Sequence, residues 1–291
     1  MQSSINNPQS TIRNQQSAIQ FSQGNLQDYV DCRRRFQLRY LLKVAWPALE
    51  AEPAYENESA MQQGALFHRL IQQHLLGIPA ERLTPLAKGS DDGTEHRLSR
   101  WWQNYLGFKY PSATALYPEV TLSMPLMGCR LVAKYDLILV GPEGRVTIYD
   151  WKTSRKRPKR SWLLERLQTR VYPFLLAQAG THLNQGQPIA PEQIGMIYWF
   201  AEAPNEPEII HYSADQYAKD ETYLKSLITE INGLSPEAFT LTSSVERCRF
   251  CTYRSLCDRG VEAGNVDELD TELELAPEGE FDFDQIAEVA Y

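Results

Sequence analysis

Between Ala115 and Lys152 the sequence alternates with period two in three short runs, separated by two glycine turns. Few folds accommodate such a stretch. Residues 115–124, 130–140 and 145–152 predict three strands, and Met127–Gly128 and Gly141–Gly144 predict the turns, which makes an antiparallel meander. Helical patterns flank it. Residues 28–42 read as a helix rich in Arg33, Arg34, Arg35 and Arg39. Residues 59–76 read as another, with Leu66, Leu70 and Ile71 on one face and a stop at Gly77–Pro79. Residues 80–96 read as a loop. A helix over 160–179, a buried strand over 193–200, a neighbouring strand over 206–212 and a helix over 214–232 follow. The expected fold class is α/β, with a central mixed sheet flanked by helices and a parallel strand returning beside the meander.

The chemistry-bearing residues fall on that meander. In the third strand, Val146, Ile148, Asp150 and Lys152 share one face. Asp136 lies on the strand before. A hairpin across Gly141–Gly144 can set Asp136 beside Asp150. Two carboxylates that close repel unless a cation joins them, and hard oxygen ligands at an open site suit Mg²⁺ or Mn²⁺. Such an arrangement suits phosphodiester hydrolysis, with Lys152 stabilising developing negative charge. In the helix that follows, Gln168 and Tyr172 are four residues apart and share a face directed back at the strand. Pro173 is expected to kink or loosen the helix after Tyr172.

The net charge of −8 conceals an asymmetry. Residues 261–291 hold eleven acids and no Lys or Arg, which leaves 29 basic against 26 acidic residues in the rest of the chain. Next to the carboxylates lies a basic run in which Arg155, Lys156, Arg157, Lys159 and Arg160 are candidates for phosphate contact. The acidic tail reads as a flexible segment, either a solubilising tail or a docking strip for a protein partner, with competition against DNA for the basic run as the alternative. Residues 1–20 are mostly Gln, Asn and Ser, and read as disordered. The ordered domain is then 21–260. No apolar run approaches the ~18 residues of a membrane span, and no secretory signal opens the chain. The reading is a soluble, cytoplasmic protein with no membrane partner.

Three of the five cysteines crowd together as Cys248-x2-Cys251-x5-Cys257. Three thiolates are one short of a four-thiolate cage, and Cys32 is the candidate fourth. A centre of this kind would staple the two ends of the domain. The lone Cys32 favours an Fe–S cluster over zinc, which stays open.

The ordered set Cys32, His68, Asp136, Asp150-x-Lys152, Gln168-x3-Tyr172 and Cys248-x2-Cys251-x5-Cys257 resembles the PD-(D/E)XK nuclease superfamily. It is most similar to the RecB-like branch with an iron–sulfur staple, seen in the AddB nuclease domain and CRISPR-associated exonucleases. The resemblance covers roughly residues 21–260 and implies a restriction-endonuclease-like core. It implies a divalent-metal site of His68, Glu119, Asp136 and Asp150, and a catalytic set of Asp136, Asp150, Lys152, Gln168 and Tyr172. It also implies a [4Fe–4S] cluster on Cys32, Cys248, Cys251 and Cys257. The implied activity is cleavage of DNA, at single strands or ends, in repair, recombination or defence. A non-catalytic Fe–S accessory module and a zinc-stapled interaction domain are the alternatives. There are departures from the family pattern: Ala133 replaces the usual Gly, Pro173 falls in the helix just after Tyr172, and no proline precedes Asp136, as is common in this branch.

Overall fold

The computed structural model describes residues 20–45, 54–88 and 96–261. The polar N-terminus before residue 20 and the acidic tail after 261 therefore lie outside the described residues. The meander forms as the alternation predicts. Strand β2 is Ala115–Leu126, β3 is Cys129–Val140 and β4 is Val146–Lys152. The β2–β3 turn places both Met127 and Gly128 at positive φ, 50° and 76°. Two such residues form the type I′ turn that matches the twist of a tight hairpin.

A short β1 (Gln20–Phe21), β5 (Ile194–Phe200) and β6 (Ala203–His211) complete a six-stranded mixed sheet. Strand β5 runs parallel to β4, and β6 is antiparallel to β5. On one edge β3 pairs with β2. On the other edge it pairs with β1 at Arg130–Leu131 and with β4 at Leu137–Val140. The paired segments on that second edge are separated by residues 132–136, which opens a notch ending at Asp136.

Each face of the sheet carries its own core. On one side pack α1 (Gln23–Asp31), α7 (Leu167–Ala179) and α8 (Ala214–Gly233). On the other pack α3 (Ala54–Leu75), α4 (Ala80–Ala87) and α5 (His96–Gly107). This second core is aromatic. Phe67, Trp101, Trp102, Tyr105, Tyr149, Trp151 and Trp199 are all buried in it. Edge-on contacts such as Trp151–Trp199, at 5.6 Å between centroids, add to the burial.

Several boundaries differ from the sequence reading. The first helix begins at Gln23, and Cys32 interrupts it in extended conformation before α2 (Arg33–Phe36) and a π-helical turn at Gln37–Leu41. The stretch read as a loop over 80–96 contains α4, because Leu83 and Ala87 bury against α5. The helix expected over 160–179 is broken at the extended Arg166 into α6 (Arg160–Glu165) and α7. Helix α7 then runs through Pro173 to Ala179. Burial of Val171 to Leu176 against the sheet holds it where the proline removes a donor.

Candidate active site

Two interruptions in the ladders build the site. The β2–β3 register is continuous from Ala115↔Val140 to Leu126↔Cys129 except at the step where Glu119 faces Asp136. The β3–β4 ladder stops at Leu137↔Tyr149, one step before Asp136 would face Asp150. Asp136 thus lies where β3 is released on both edges. Its Oδ2 takes the place of a strand partner and accepts the Trp151 backbone N–H at 2.8 Å. Opposite it, Glu119 adopts φ +54° in mid-strand. A left-handed non-glycine residue costs roughly 1–3 kcal/mol, and such strain gathers at functional sites.

Helix α3 supplies the third group. His68 Nδ1 is 3.2 Å from Asp136 Oδ1. Ligand atoms of His68, Glu119 and Asp136 all lie within 4.8 Å of one another, a donor set that fits one divalent ion. Gly64, one turn before His68, lets the helix approach this closely. A Cβ added there would meet Thr153 Oγ1, just after Lys152, at 3.0 Å.

Helix α7 approaches from the opposite face. Gln168 Nε2 donates to Asp150 Oδ1 at 2.6 Å, and Gln168 Oε1 accepts from Lys152 Nζ at 2.9 Å. Lys152 Nζ is also 3.0 Å from Asp150 Oδ2. Asp150 therefore turns toward Lys152 and Gln168, outside the tight His68–Glu119–Asp136 group. Tyr172 lies on the same helical face, but its buried hydroxyl donates to the Lys134 carbonyl at 2.7 Å. Its one proton is committed to the backbone of β3.

The local fields follow. Burial disfavours charge on His68, yet Asp136, Asp150 and Glu119 together outweigh it and hold the imidazole above its ordinary value. Burial likewise opposes ionisation of Asp136, but His68, the Trp151 N–H and Lys152 bring its carboxyl below the usual range. Burial pushes Glu119 up against the pull of Lys134.

The basic run divides. Arg157 and Arg160 both hold Glu208, a buried carboxylate on β6. Arg157 Nε also donates to the Glu206 carbonyl and Arg160 Nη1 to the Ile209 carbonyl, which fastens the loop to the sheet edge. Arg155, Lys156 and Lys159 are exposed just beyond β4.

The two ends of the domain do meet. Arg34 N donates to Thr240 O, Tyr253 Oη to Val44 O, and Arg247 pairs with Asp31. Cys32 caps α2, its Sγ accepting from Arg35 N at 3.4 Å, while Cys248 ends α9 (Val245–Cys248). Burial pushes the Cys248, Cys251 and Cys257 thiols up, and the charge of Cys32 adds to each. Cys32 and Cys248 are brought to the same end of the domain by the pair of their neighbours Asp31 and Arg247. Among the described residues the four sulfurs do not form a group at single-ion spacing. Cys129 stands apart and accepts from Asn232 Nδ2.

The sequence reading misses Lys134. Its Nζ is 2.5 Å from Glu119 Oε2. The signal was its position two residues before Asp136, on the same strand.

The chain matches the family model of the PD-(D/E)XK nuclease superfamily over residues 20–258. Among solved structures it is similar to SSO0001, at 16% identity and a TM-score of 0.40, with 82% of this chain and 85% of that chain covered. It is also similar to a candidate exonuclease from Eubacterium rectale, at 10% identity and a TM-score of 0.46, with 74% and 80% covered. No curated protein matches its sequence.

Proposed function

The chain belongs to the PD-(D/E)XK nuclease superfamily, and on that premise we propose that it is a metal-dependent deoxyribonuclease. The observation that carries this is the His68–Glu119–Asp136 group standing next to the Asp150–Lys152–Gln168 cluster. His68, Glu119 and Asp136 would hold Mg²⁺ or Mn²⁺, and Asp150 on β4 would join them by turning an oxygen away from Lys152 and Gln168. A bound divalent ion supplies Lewis-acid neutralisation of the phosphate and lowers the pKa of water. Lys152 directs its ammonium at the phosphate oxygen on which negative charge develops. Gln168 fixes that ammonium by accepting from it while donating to Asp150, so both partners keep one orientation. Tyr172 positions β3 through the Lys134 carbonyl. Arg155, Lys156 and Lys159 receive the DNA backbone, and Arg157 and Arg160 hold their loop in place.

We extend the proposal to exonucleolytic action on single strands or ends, in repair, recombination or defence, as in the branch that the order of motifs resembles. Linear and covalently closed DNA of one sequence, each incubated with Mg²⁺, test this. Degradation confined to the linear form supports it, and nicking of closed circles overturns the exonuclease assignment.

Cys32, Cys248, Cys251 and Cys257 carry a [4Fe–4S] cluster in this reading. A cage around one zinc ion would bring the sulfurs to about 3.8 Å, whereas a multi-iron cluster spreads them further. The pair of Arg247 with Asp31, which stand next to Cys248 and Cys32, supports the placement. Anaerobically purified protein with iron, acid-labile sulfide and visible charge-transfer absorption is the expected result. Stoichiometric zinc without iron overturns it.

A further inference from the structure

The site holds a second lysine that the nuclease reading does not use. Lys134 lies on β3 two residues before Asp136, as Lys152 lies on β4 two residues after Asp150. The β3–β4 pairing ends at Leu137↔Tyr149, so Asp136 and Lys134 on β3, like Asp150 and Lys152 on β4, lie just past the last pair where the two strands part. Each lysine holds one carboxylate of the site: Lys152 lies 3.0 Å from Asp150, and Lys134 lies 2.5 Å from Glu119. The Lys134 side chain remains 29% exposed, so it is not sealed into the core. Its backbone is fixed by the Tyr172 hydroxyl, so the ammonium moves on its own flexible stem without shifting the strand.

Glu119 is itself one of the three groups gathered at ion-binding distance. An ammonium and a divalent ion cannot share its carboxylate without mutual repulsion. We propose that Lys134 is a displaceable counter-ion. It neutralises Glu119 before a divalent ion binds, yields Glu119 to that ion, and then faces the substrate phosphate as a second ammonium from the neighbouring strand. This rests on the reading of His68, Glu119 and Asp136 as a divalent-cation site.

The test uses the full chain and binding rather than turnover. Titration calorimetry with Mn²⁺, without nucleic acid, compares the wild type with Lys134→Ala, Lys134→Arg, Glu119→Gln and the Lys134→Ala/Glu119→Gln double variant. Removing the competing charge should tighten Mn²⁺ binding by about tenfold. Lys134→Arg should leave it near the wild-type value, and the gain should vanish in the Glu119→Gln background. Oligonucleotide affinity should fall in Lys134→Ala when Ca²⁺ is present, and hold when EDTA is present. Unchanged or weaker Mn²⁺ binding in a folded Lys134→Ala protein overturns the proposal, as does an equal loss of DNA affinity in EDTA and Ca²⁺. A wild type that binds no Mn²⁺ would instead overturn the cation site on which the inference rests.

Discussion

Tyr135 and Tyr172 exchange hydrogen bonds through each other's neighbourhood. The Tyr135 hydroxyl donates to the Tyr172 carbonyl at 2.9 Å, and the Tyr172 hydroxyl donates to the Lys134 carbonyl at 2.7 Å. Their rings lie 4.7 Å apart. This reciprocal clasp joins β3, which carries Lys134 and Asp136, to α7, which carries Gln168. It fixes the two halves of the site relative to one another. Burial pushes both phenols well up, so both remain neutral donors.

Removing either hydroxyl should therefore weaken the fold. Tyr172→Phe removes the donor from the Lys134 carbonyl and should cost about 1 kcal/mol of stability, with Tyr135→Phe costing a similar amount. Urea unfolding monitored by tryptophan fluorescence reads this directly. Wild-type midpoints in both variants would mean that the clasp does not contribute.

Lys152 and Gln168 should separate chemistry from affinity. Lys152→Ala should abolish metal-dependent cleavage and leave DNA affinity nearly intact, because Lys152 faces Asp150 and Gln168 rather than the exposed basic loop. Gln168→Ala should lower the rate less, since Lys152 keeps its contact with Asp150. Near-normal turnover in Lys152→Ala would remove its assigned role.

Gly64 should be intolerant of bulk. A side chain there meets Thr153 at the end of β4 and pushes away the helix that carries His68. Gly64→Leu should lower cleavage by about 10²-fold, the scale of an ångström-level misplacement. Mn²⁺ affinity should fall with it. Wild-type Mn²⁺ affinity in this variant would show that helix α3 does not set the ion site.

Much of this arrangement was legible in the sequence. Alternation over 115–152 marks the meander because one face of each strand must be buried, and it puts Asp150 and Lys152 on a shared face. The spacing of Gln168 and Tyr172 also puts them on one helical face. The divergence of their hydroxyl and amide toward different partners depends on where β3 lies, which no local pattern encodes. Helix α5 was within reach: Leu98, Trp101, Trp102 and Tyr105 have helical spacing. The run with Pro85 conceals α4, whose helicity depends on packing against α5. Glu119 at positive φ and the halted β3–β4 ladder are tertiary features, and with them goes the turn of Asp150 away from His68, Glu119 and Asp136.

Cys32→Ser and Cys251→Ser should be equivalent. If both hold one cluster across the two ends of the domain, each should release iron and lower the melting temperature to a similar degree. Full iron content and an unchanged melting temperature in Cys32→Ser would exclude it as the fourth ligand. The Arg247–Asp31 pair and the Tyr253–Val44 bond should keep the ends together in part, so both variants should still fold.

If the His68–Glu119–Asp136 group and its neighbours cleave DNA with a divalent ion, cleavage must depend on both the ion and Asp136. The most direct measurement is a time course on end-labelled linear DNA in Mg²⁺ or Mn²⁺, repeated in EDTA, with Asp136→Asn alongside the wild type. Cleavage by the wild type that stops in EDTA and is absent from Asp136→Asn is the predicted result. Cleavage that persists in EDTA or in Asp136→Asn, or its absence from the wild type with either ion, would exclude a metal-dependent nuclease site at Asp136.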